Sequence, residues 1–327
     1  MGARRMDMSE EQLLTGDVSG VGPIHGHCAQ RLELKKVVLS GRVHHGWIFE
    51  GPRGVGKFRL ARSFAELLLA QGQASERSHG GDAHPDLRII QRPIDDKGKQ
   101  KAEIPVELIR KDVVDFFSLR PAMGGWRVAI IDSIGELNRF SANALLKTLE
   151  EPPPQSAIIL ISHGDRAVLP TLRSRCRKLR FDRLDTGDAL LVLKAAGLSE
   201  AQARAAEALA PGQPGRAILF ADDHVQQATR RVRSACETTG GLSARDLTGV
   251  LNAGAKSEAA FEACTSSILN YVMDKARSEL STQDVGRWAE LYLFLCNHFA
   301  DNQSLNMDRS QSIATALSRL HKTQRGV

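Results

Sequence analysis

Residues 51–58 of the chain are GPRGVGKF, a glycine-rich stretch that ends in a lysine and a phenylalanine. Gly51, Gly56 and Lys57 have the spacing of a phosphate-binding loop, with Gly54 between them. The stretch lies between a short apolar run, WIFE, and an amphipathic segment. In such loops the backbone N–H groups and a helix N-terminus converge on the phosphates of a nucleotide. The sequence therefore predicts a strand, a phosphate loop and a helix, in that order.

Two positions near this loop lack what nucleotide hydrolysis needs. Phe58 follows the loop lysine, where Ser or Thr would offer a hydroxyl to Mg²⁺. A buried strand ends on Asp132, a second metal-holding candidate. Ser133 follows it where hydrolysing proteins have a Glu that polarises water, and Glu136 lies too far along the chain to replace it. Losing metal or water placement costs orders of magnitude in rate. We therefore predict a degenerate site in which Lys57 either keeps weak ATP or ADP binding or packs in the loop.

Strands and helices alternate up to about residue 182. The predicted strands are 47–50, 86–90, 128–131, 157–162 and a last one within 173–181; the predicted helices are 26–41, 58–70, 106–119 and 141–151. In the helix 26–41 the apolar residues are predicted to lie broadly on one side: Leu32, Leu34, Val37, Val38 and Leu39. After residue 182 only helical patterns occur. The alternation predicts an α/β layer with a largely parallel sheet. The chain is thus predicted to form an α/β domain, residues 1–182, a small helical domain, 183–223, and an all-α C-terminal domain, 224–327.

The composition is that of an ordinary soluble globular protein. The net charge of +6, from 44 basic and 38 acidic residues, mildly favours an anionic partner such as nucleic acid. The five cysteines are scattered and never form a C-x-x-C pair, which argues against disulfides and a thiolate zinc site. No apolar run is long enough to cross a bilayer. These features predict a cytoplasmic protein without a membrane partner.

Two further segments, ANALLKTLEEPP at 142–153 and TLRSRC at 171–176, carry a resemblance. Together with the phosphate loop and Asp132, they resemble the AAA+ clamp-loader subunits of bacterial DNA polymerase III. The match also includes HPD, RVAIID and GQPGRA, and it covers roughly residues 26–220. It implies an AAA+ P-loop domain over 1–182, a lid over 183–223 and an oligomerising collar over 224–327.

The family contains active ATPase subunits, gamma and tau, and a non-hydrolysing subunit, delta-prime. Phe58 and Ser133 depart from the active subunits, so the resemblance favours the delta-prime type, which is not an enzyme by itself. It implies the gamma/tau and delta subunits as partners in a ring that loads the sliding clamp onto primed DNA in chromosomal replication. No cofactor is required in this interpretation, and weak ATP or ADP binding is left open.

The motif Ser174-Arg175-Cys176 matches the family motif whose arginine reaches the nucleotide of a neighbouring subunit. A guanidinium can neutralise γ-phosphate charge in trans without binding a nucleotide itself. The resemblance therefore implies that Arg175 is a trans arginine finger. The alternative is that Arg175 belongs to a solvated basic strand edge together with Arg173, Arg177 and Arg180. Cys176 is predicted to be a small packing residue.

The resemblance also assigns lesser roles. Arg216 matches the lid residue that senses nucleotide in active AAA+ proteins, and in a degenerate site it is predicted to be a structural remnant or a domain-interface pair. Ser162 is placed like a phosphate sensor or a plain strand-end cap. Lys147 faces either DNA phosphates or solvent. The zinc module of the family has no cysteines here, and His79 and His84 alone do not make a tetrahedral site, so no zinc is predicted.

Other functions compete with this interpretation. The first is an active AAA+ ATPase, either a gamma/tau-type clamp-loader subunit or a helicase motor. A P-loop small-molecule kinase is disfavoured because LEEPP, SRC and an all-helical C-terminal half have no place in one. A bare nucleic-acid-binding module is disfavoured by the aromatic content of 5% and the lack of a dense basic run.

Overall fold

The structure, a computed structural model, describes residues 24–71, 84–94, 101, 103–164, 168–238, 243–279, 282–305 and 307–326. The chain divides into two compact units, Met1–Val192 and Leu193–Val327. The finer division into domains at 182 and 223 stays a prediction.

The first unit is built on a five-stranded sheet. Its strands are β1 Gly46–Glu50, β2 Leu87–Ile90, β3 Arg127–Asp132, β4 Ser156–Ser162 and β5 Arg177–Arg180. They lie in the order β2-β3-β4-β1-β5, and every neighbouring pair is parallel. This confirms the predicted α/β class with a parallel sheet.

Helices precede, connect and follow the strands of this unit, and the last of them continues past Val192. They are α1 Cys28–Ser40, α2 Lys57–Ala70, α3 Val106–Ile109, α4 Phe116–Ser118, α5 Arg139–Glu150, α6 Pro170–Arg173 and α7 Thr186–Ala195, with a π-helical stretch Arg110–Asp115 and a 3₁₀ turn Ile134–Glu136. The predicted helix over 106–119 is thus a continuous helical segment with a π-helical centre. A parallel sheet needs such crossover helices, because successive parallel strands cannot be joined by a tight turn.

Each face of the sheet is covered by its own apolar cluster. Along β1, Trp47 and Phe49 belong to one cluster and Ile48 to the other, as the period of two in a strand requires. The residues of β4 are buried throughout. Burial on both faces explains why the central strands are continuous apolar runs rather than alternating ones.

The prediction for α1 was partly wrong. Leu34, Val37 and Val38 are buried as expected, but Leu32 is 48% exposed and Leu39 is 69% exposed. At 100° per residue, positions 32 and 39 fall almost opposite the side that carries the three buried residues. The apolar stripe of this helix is therefore narrower than the leucine content indicates.

A buried ion pair joins the starts of β2 and β3. Asp86 is 1% exposed, and its carboxylate accepts from Arg127 Nε at 3.2 Å and from the backbone N–H groups of Ala122 and Met123 at 2.8 Å. Arg127 also donates to the Phe116 carbonyl at the end of the helical segment. The pair is thus satisfied by hydrogen bonds on both sides, which a buried charge requires.

The described residues of the second unit are helical, as the sequence predicts. Its helices are α8 Glu200–Leu209, α9 Pro214–Phe220, α10 Asp223–Glu237, α11 Ala244–Ala255, α12 Glu258–Ser278, α13 Thr282–Leu305 and α14 Arg309–Gln324. Side chains cap several N-termini, and Ser199 with Gln202 forms a full capping box on α8. Within the described part of the chain, no helix is both long and apolar enough to cross a membrane.

Candidate nucleotide site and finger

The glycine-rich loop connects β1 to α2, which is the context that the sequence predicts. Gly54 and Gly56 have φ of 80° and 102°, in the region that favours glycine. A Cβ on Gly51 would collide with the backbone oxygen of Phe181. The left-handed backbone at Gly54 and Gly56 and the close approach at Gly51 therefore explain why these three positions are glycine.

Lys57 is bound by the loop itself. It is 3% exposed, and its Nζ donates to the carbonyl oxygens of Gly51 at 2.6 Å and Pro52 at 2.5 Å. The two bonds keep the buried ammonium satisfied by the protein's own oxygens. This is the packed arrangement that the sequence left open beside weak ATP or ADP binding; nucleotide binding itself stays a prediction.

His27 also holds the loop, a role that no sequence motif indicates. Its Nε2–H donates to the carbonyl oxygen of Val55 at 2.8 Å, and its ring meets the ring of Phe181 edge-on at 5.0 Å. Burial lowers the pKa of His27 below its usual value. The neutral imidazole is therefore the form favoured at this position near pH 7.

Phe58 does not fit a magnesium ion. The ring is partly buried and packs against the apolar cluster that contains Trp47 and Phe49. Mg²⁺ requires oxygen ligands, and a phenyl ring supplies none. Phe58, at the position that would carry a metal-binding hydroxyl, therefore contributes to the hydrophobic core instead.

Asp132 faces a histidine at the carboxyl end of the sheet. Its Oδ1 lies 3.3 Å from Nε2 of His163, the residue after β4. The neighbouring Ser133 is 2% exposed, and its hydroxyl finds no hydrogen-bond partner among the described residues. Asp132 Oδ1 is buried and likewise makes no hydrogen bond among the described residues. Phe58 supplies no oxygen, so these three residues offer Mg²⁺ a single carboxylate, which is fewer charged ligands than a catalytic metal site needs.

Glu136 is bound by two arginines rather than placed as a base. Its carboxylate pairs with Arg53 of the glycine loop at 3.5 Å and with Arg92, beyond β2, at 3.0 Å. Burial raises the pKa of Glu136, while both guanidiniums oppose that shift. The residue therefore ties the loop to the 3₁₀ turn, which agrees with the prediction that it does not replace the missing Glu.

The SRC motif forms the turn between α6 and β5, an edge strand of the sheet. The Arg175 side chain is 35% exposed. Its Nη2 lies 2.6 Å from Glu150 Oε1, and its Nη1 donates to the Thr171 carbonyl at 2.9 Å and the Ser174 hydroxyl at 3.3 Å. The guanidinium is thus at the surface but folded against its own unit.

The thiol of Cys176 lies beneath this turn. Burial raises the pKa of Cys176 to about 12, so the thiolate needed for reactivity is absent near neutral pH. A Cβ on Gly46 would meet its Sγ at 2.9 Å. These contacts agree with the prediction of a packing residue.

The alternative of a basic strand edge keeps some support. Arg173 pairs with Glu50 at 3.4 Å, and Arg177 pairs with Glu33 at 2.7 Å and lies over the Trp47 ring. Arg180 is exposed. The edge is therefore basic but largely compensated by carboxylates, which weakens it as an anion-binding stripe.

The remaining predicted residues have local partners. In the second unit, Arg216 pairs with Glu262 at 3.5 Å and donates to Ser266, which favours the structural remnant. Ser162 is buried and accepts from the Gly164 N–H at 3.4 Å, as a strand-end cap would. Lys147 is exposed on α5.

The zinc prediction falls mainly on residues outside the described part of the chain, His79 among them. His84 is described, and its Nδ1 accepts from the Asp86 N–H at 3.1 Å. Among the described residues, no group of three or more His, Cys, Asp or Glu side chains could hold a metal ion. The predicted lack of zinc therefore stays a prediction.

Comparison with known proteins confirms the resemblance over the first unit. Residues 27–185 match the family model described as DNA polymerase III, delta subunit. A delta' subunit of DNA polymerase III from Pseudomonas aeruginosa is 33% identical over 150 residues, which cover 42% of this chain and 44% of that protein. The tau subunit of Escherichia coli is 36% identical over 157 residues, which cover 44% of this chain and 23% of that protein. The match thus spans less than half the length of these relatives.

Solved structures include a similar chain of low identity. The Holliday junction branch migration motor RuvB of Thermotoga maritima is 17% identical, with a TM-score of 0.47 over 93% of this chain and 91% of that one.

Proposed function

We infer that this chain is a non-hydrolysing, delta-prime-type clamp-loader subunit, because residues 27–185 match the DNA polymerase III family model and resemble the delta' and tau relatives. It would join gamma/tau ATPase subunits and a delta subunit in a ring that places the sliding clamp on primed DNA. Its own contribution to chemistry would be Arg175, donated to the nucleotide site of a neighbour.

One observation carries this proposal. Phe58 stands at the position where a metal-binding hydroxyl would be, and its ring packs against the hydrophobic core. A P-loop site without its hydroxyl ligand loses the metal that neutralises the γ-phosphate. The double pairing of Glu136 with Arg53 and Arg92 supports the same conclusion, because it keeps this carboxylate from acting as the missing base. A chain that keeps this fold without the chemistry retains it for assembly.

The second candidate is an active ATPase of the gamma/tau type. The 36% identity to the tau subunit of Escherichia coli favours it, as does the glycine loop that keeps its left-handed backbone. The two candidates differ in where hydrolysis happens, in this chain or in its neighbour.

The test is stimulation in trans. The full chain is mixed with the gamma/tau-type ATPase and delta subunits of its own organism, and ATP turnover is measured with Mg²⁺ and primed DNA. We expect turnover per ATPase subunit to rise about 10-fold or more on addition of this chain, because a trans guanidinium contributes several orders of magnitude at the site it reaches. Co-elution in gel filtration reports assembly, and assembly without any rise in turnover would contradict the donor role.

A further inference from the structure

We propose that Glu150 is the counter-ion that holds Arg175 in the unassembled chain, and that this carboxylate must be exchanged for an anionic group of a neighbouring subunit before Arg175 can act. The inference rests on the proposed function of Arg175. It assigns a positioning role to Glu150, the last residue of α5.

The contact is a close ion pair. Nη2 of Arg175 lies 2.6 Å from Oε1 of Glu150, which is short for a nitrogen–oxygen pair. The Thr171 carbonyl holds Nη1 at the same time, so the guanidinium is bound at both of its terminal nitrogens. Contacts with two different elements therefore hold the guanidinium in place.

The backbone on both sides of the pair is anchored at one point. Leu149 precedes Glu150, and Cys176 follows Arg175. A Cβ on Gly46 would meet Cys176 Sγ at 2.9 Å and Leu149 Cδ2 at 3.0 Å, so both side chains close around the start of β1. The meeting of Glu150 and Arg175 therefore follows from core packing rather than from two freely moving surface side chains.

The electrostatics explain why the pair must open. A guanidinium stabilises a transferring phosphoryl group through its positive charge, and an adjacent carboxylate cancels much of that charge. A nucleotide phosphate offers the same bidentate acceptor geometry as a carboxylate, so it can replace Glu150 as the partner of Arg175.

The pair is weak enough to exchange. The side chains of Glu150 and Arg175 are 48% and 35% exposed, so water screens their attraction. Exposed ion pairs of this kind change an equilibrium by about two- to fivefold. Glu150 therefore sets how readily Arg175 is released. Once Arg175 is released, Glu150 does not change the stimulation that Arg175 gives to the neighbour's ATP turnover.

The first test uses the full chain alone. Phenylglyoxal modifies accessible guanidiniums, and peptide mass spectrometry follows Arg175 and Arg177 separately. Glu150→Gln is expected to speed modification of Arg175 about two- to fivefold and leave that of Arg177 unchanged. Glu151→Gln is the matched control, because Glu151 is the exposed residue next to Glu150 and its substitution removes the same negative charge. An unchanged rate for Glu150→Gln, or an equal rise for both variants, overturns the proposal.

The second test uses the complex with the ATPase subunits. Because release is part of binding, Glu150→Gln is expected to lower the chain concentration that gives half-maximal stimulation about two- to fivefold, with the saturating rate unchanged. A lower saturating rate would mean that Glu150 helps the finger in its active position, which overturns the proposal. If Arg175→Ala stimulates as well as the wild type, the donor role fails, and the modification result still decides whether Glu150 holds Arg175.

Discussion

Replacing Arg175 with Ala is expected to abolish the stimulation that this chain gives to its neighbour's ATP turnover. An arginine finger raises the rate of hydrolysis about 10³-fold or more at the site it reaches, because the guanidinium neutralises charge on the transferring phosphoryl group. The side chain is 35% exposed and its hydrogen-bond and ion-pair partners are polar groups near the surface, so the variant should fold and assemble normally. Turnover is measured in the reconstituted complex, with gel filtration to check assembly.

Two further variants sharpen this result. Arg175→Lys keeps the charge but not the planar fork of donors, so it should recover only a small part of the stimulation. Lys178→Ala removes one exposed positive charge from the same strand edge and should leave turnover near the wild-type value. Equal losses for Arg175→Ala and Lys178→Ala would favour the basic strand edge over a specific finger.

Asp86→Asn is expected to destabilise the first unit by about 3–5 kcal/mol. The change keeps the side-chain volume but leaves the Arg127 guanidinium buried without its counter-ion, and breaking a buried pair on one side has this cost. The Asn side chain also loses one of the two acceptors that now bind the Ala122 and Met123 N–H groups. Urea unfolding followed by circular dichroism gives the free energy.

The control for this prediction is Asp115→Asn, an exposed aspartate on the helical segment, expected to change stability by less than about 0.5 kcal/mol. The double variant Asp86→Leu with Arg127→Met should lose less free energy of unfolding than Asp86→Asn alone, because it removes both buried charges together. A loss under about 1 kcal/mol for Asp86→Asn would show that the pair is hydrated rather than buried.

The sequence predicted the strands and helices of the first unit well because their signals are local. A run such as AIILIS is buried on both faces, and SANALLKTLEE carries a regular helical stripe. In α1 the same approach counted Leu32 and Leu39 into the core, since a leucine-rich segment does not say how wide its buried face is.

The order of the strands lies beyond a local pattern. Strand β1 pairs with β4 and β5, which come much later in the chain, while its successor β2 lies at the far edge of the sheet. Apolar runs say that strands are buried, but not which strand each one adopts as a neighbour.

The candidate site likewise has a part that the sequence predicts and a part that it does not. The glycine loop is one short segment, so its residues were found from spacing alone. The contacts that give the site its present chemistry join distant segments: His27 with Val55, Asp132 with His163, and Arg175 with Glu150. No sequence motif identifies these pairs, because the two residues of each pair stand far apart in the chain.

The most direct test of the account is steady-state ATP hydrolysis by the purified chain with Mg²⁺, alone and then with a primed template. We predict no turnover above background in either condition, because Phe58 offers no metal ligand and Ser133 no base. Metal-dependent turnover that disappears in Lys57→Ala would contradict the account and place this chain among the active ATPase subunits.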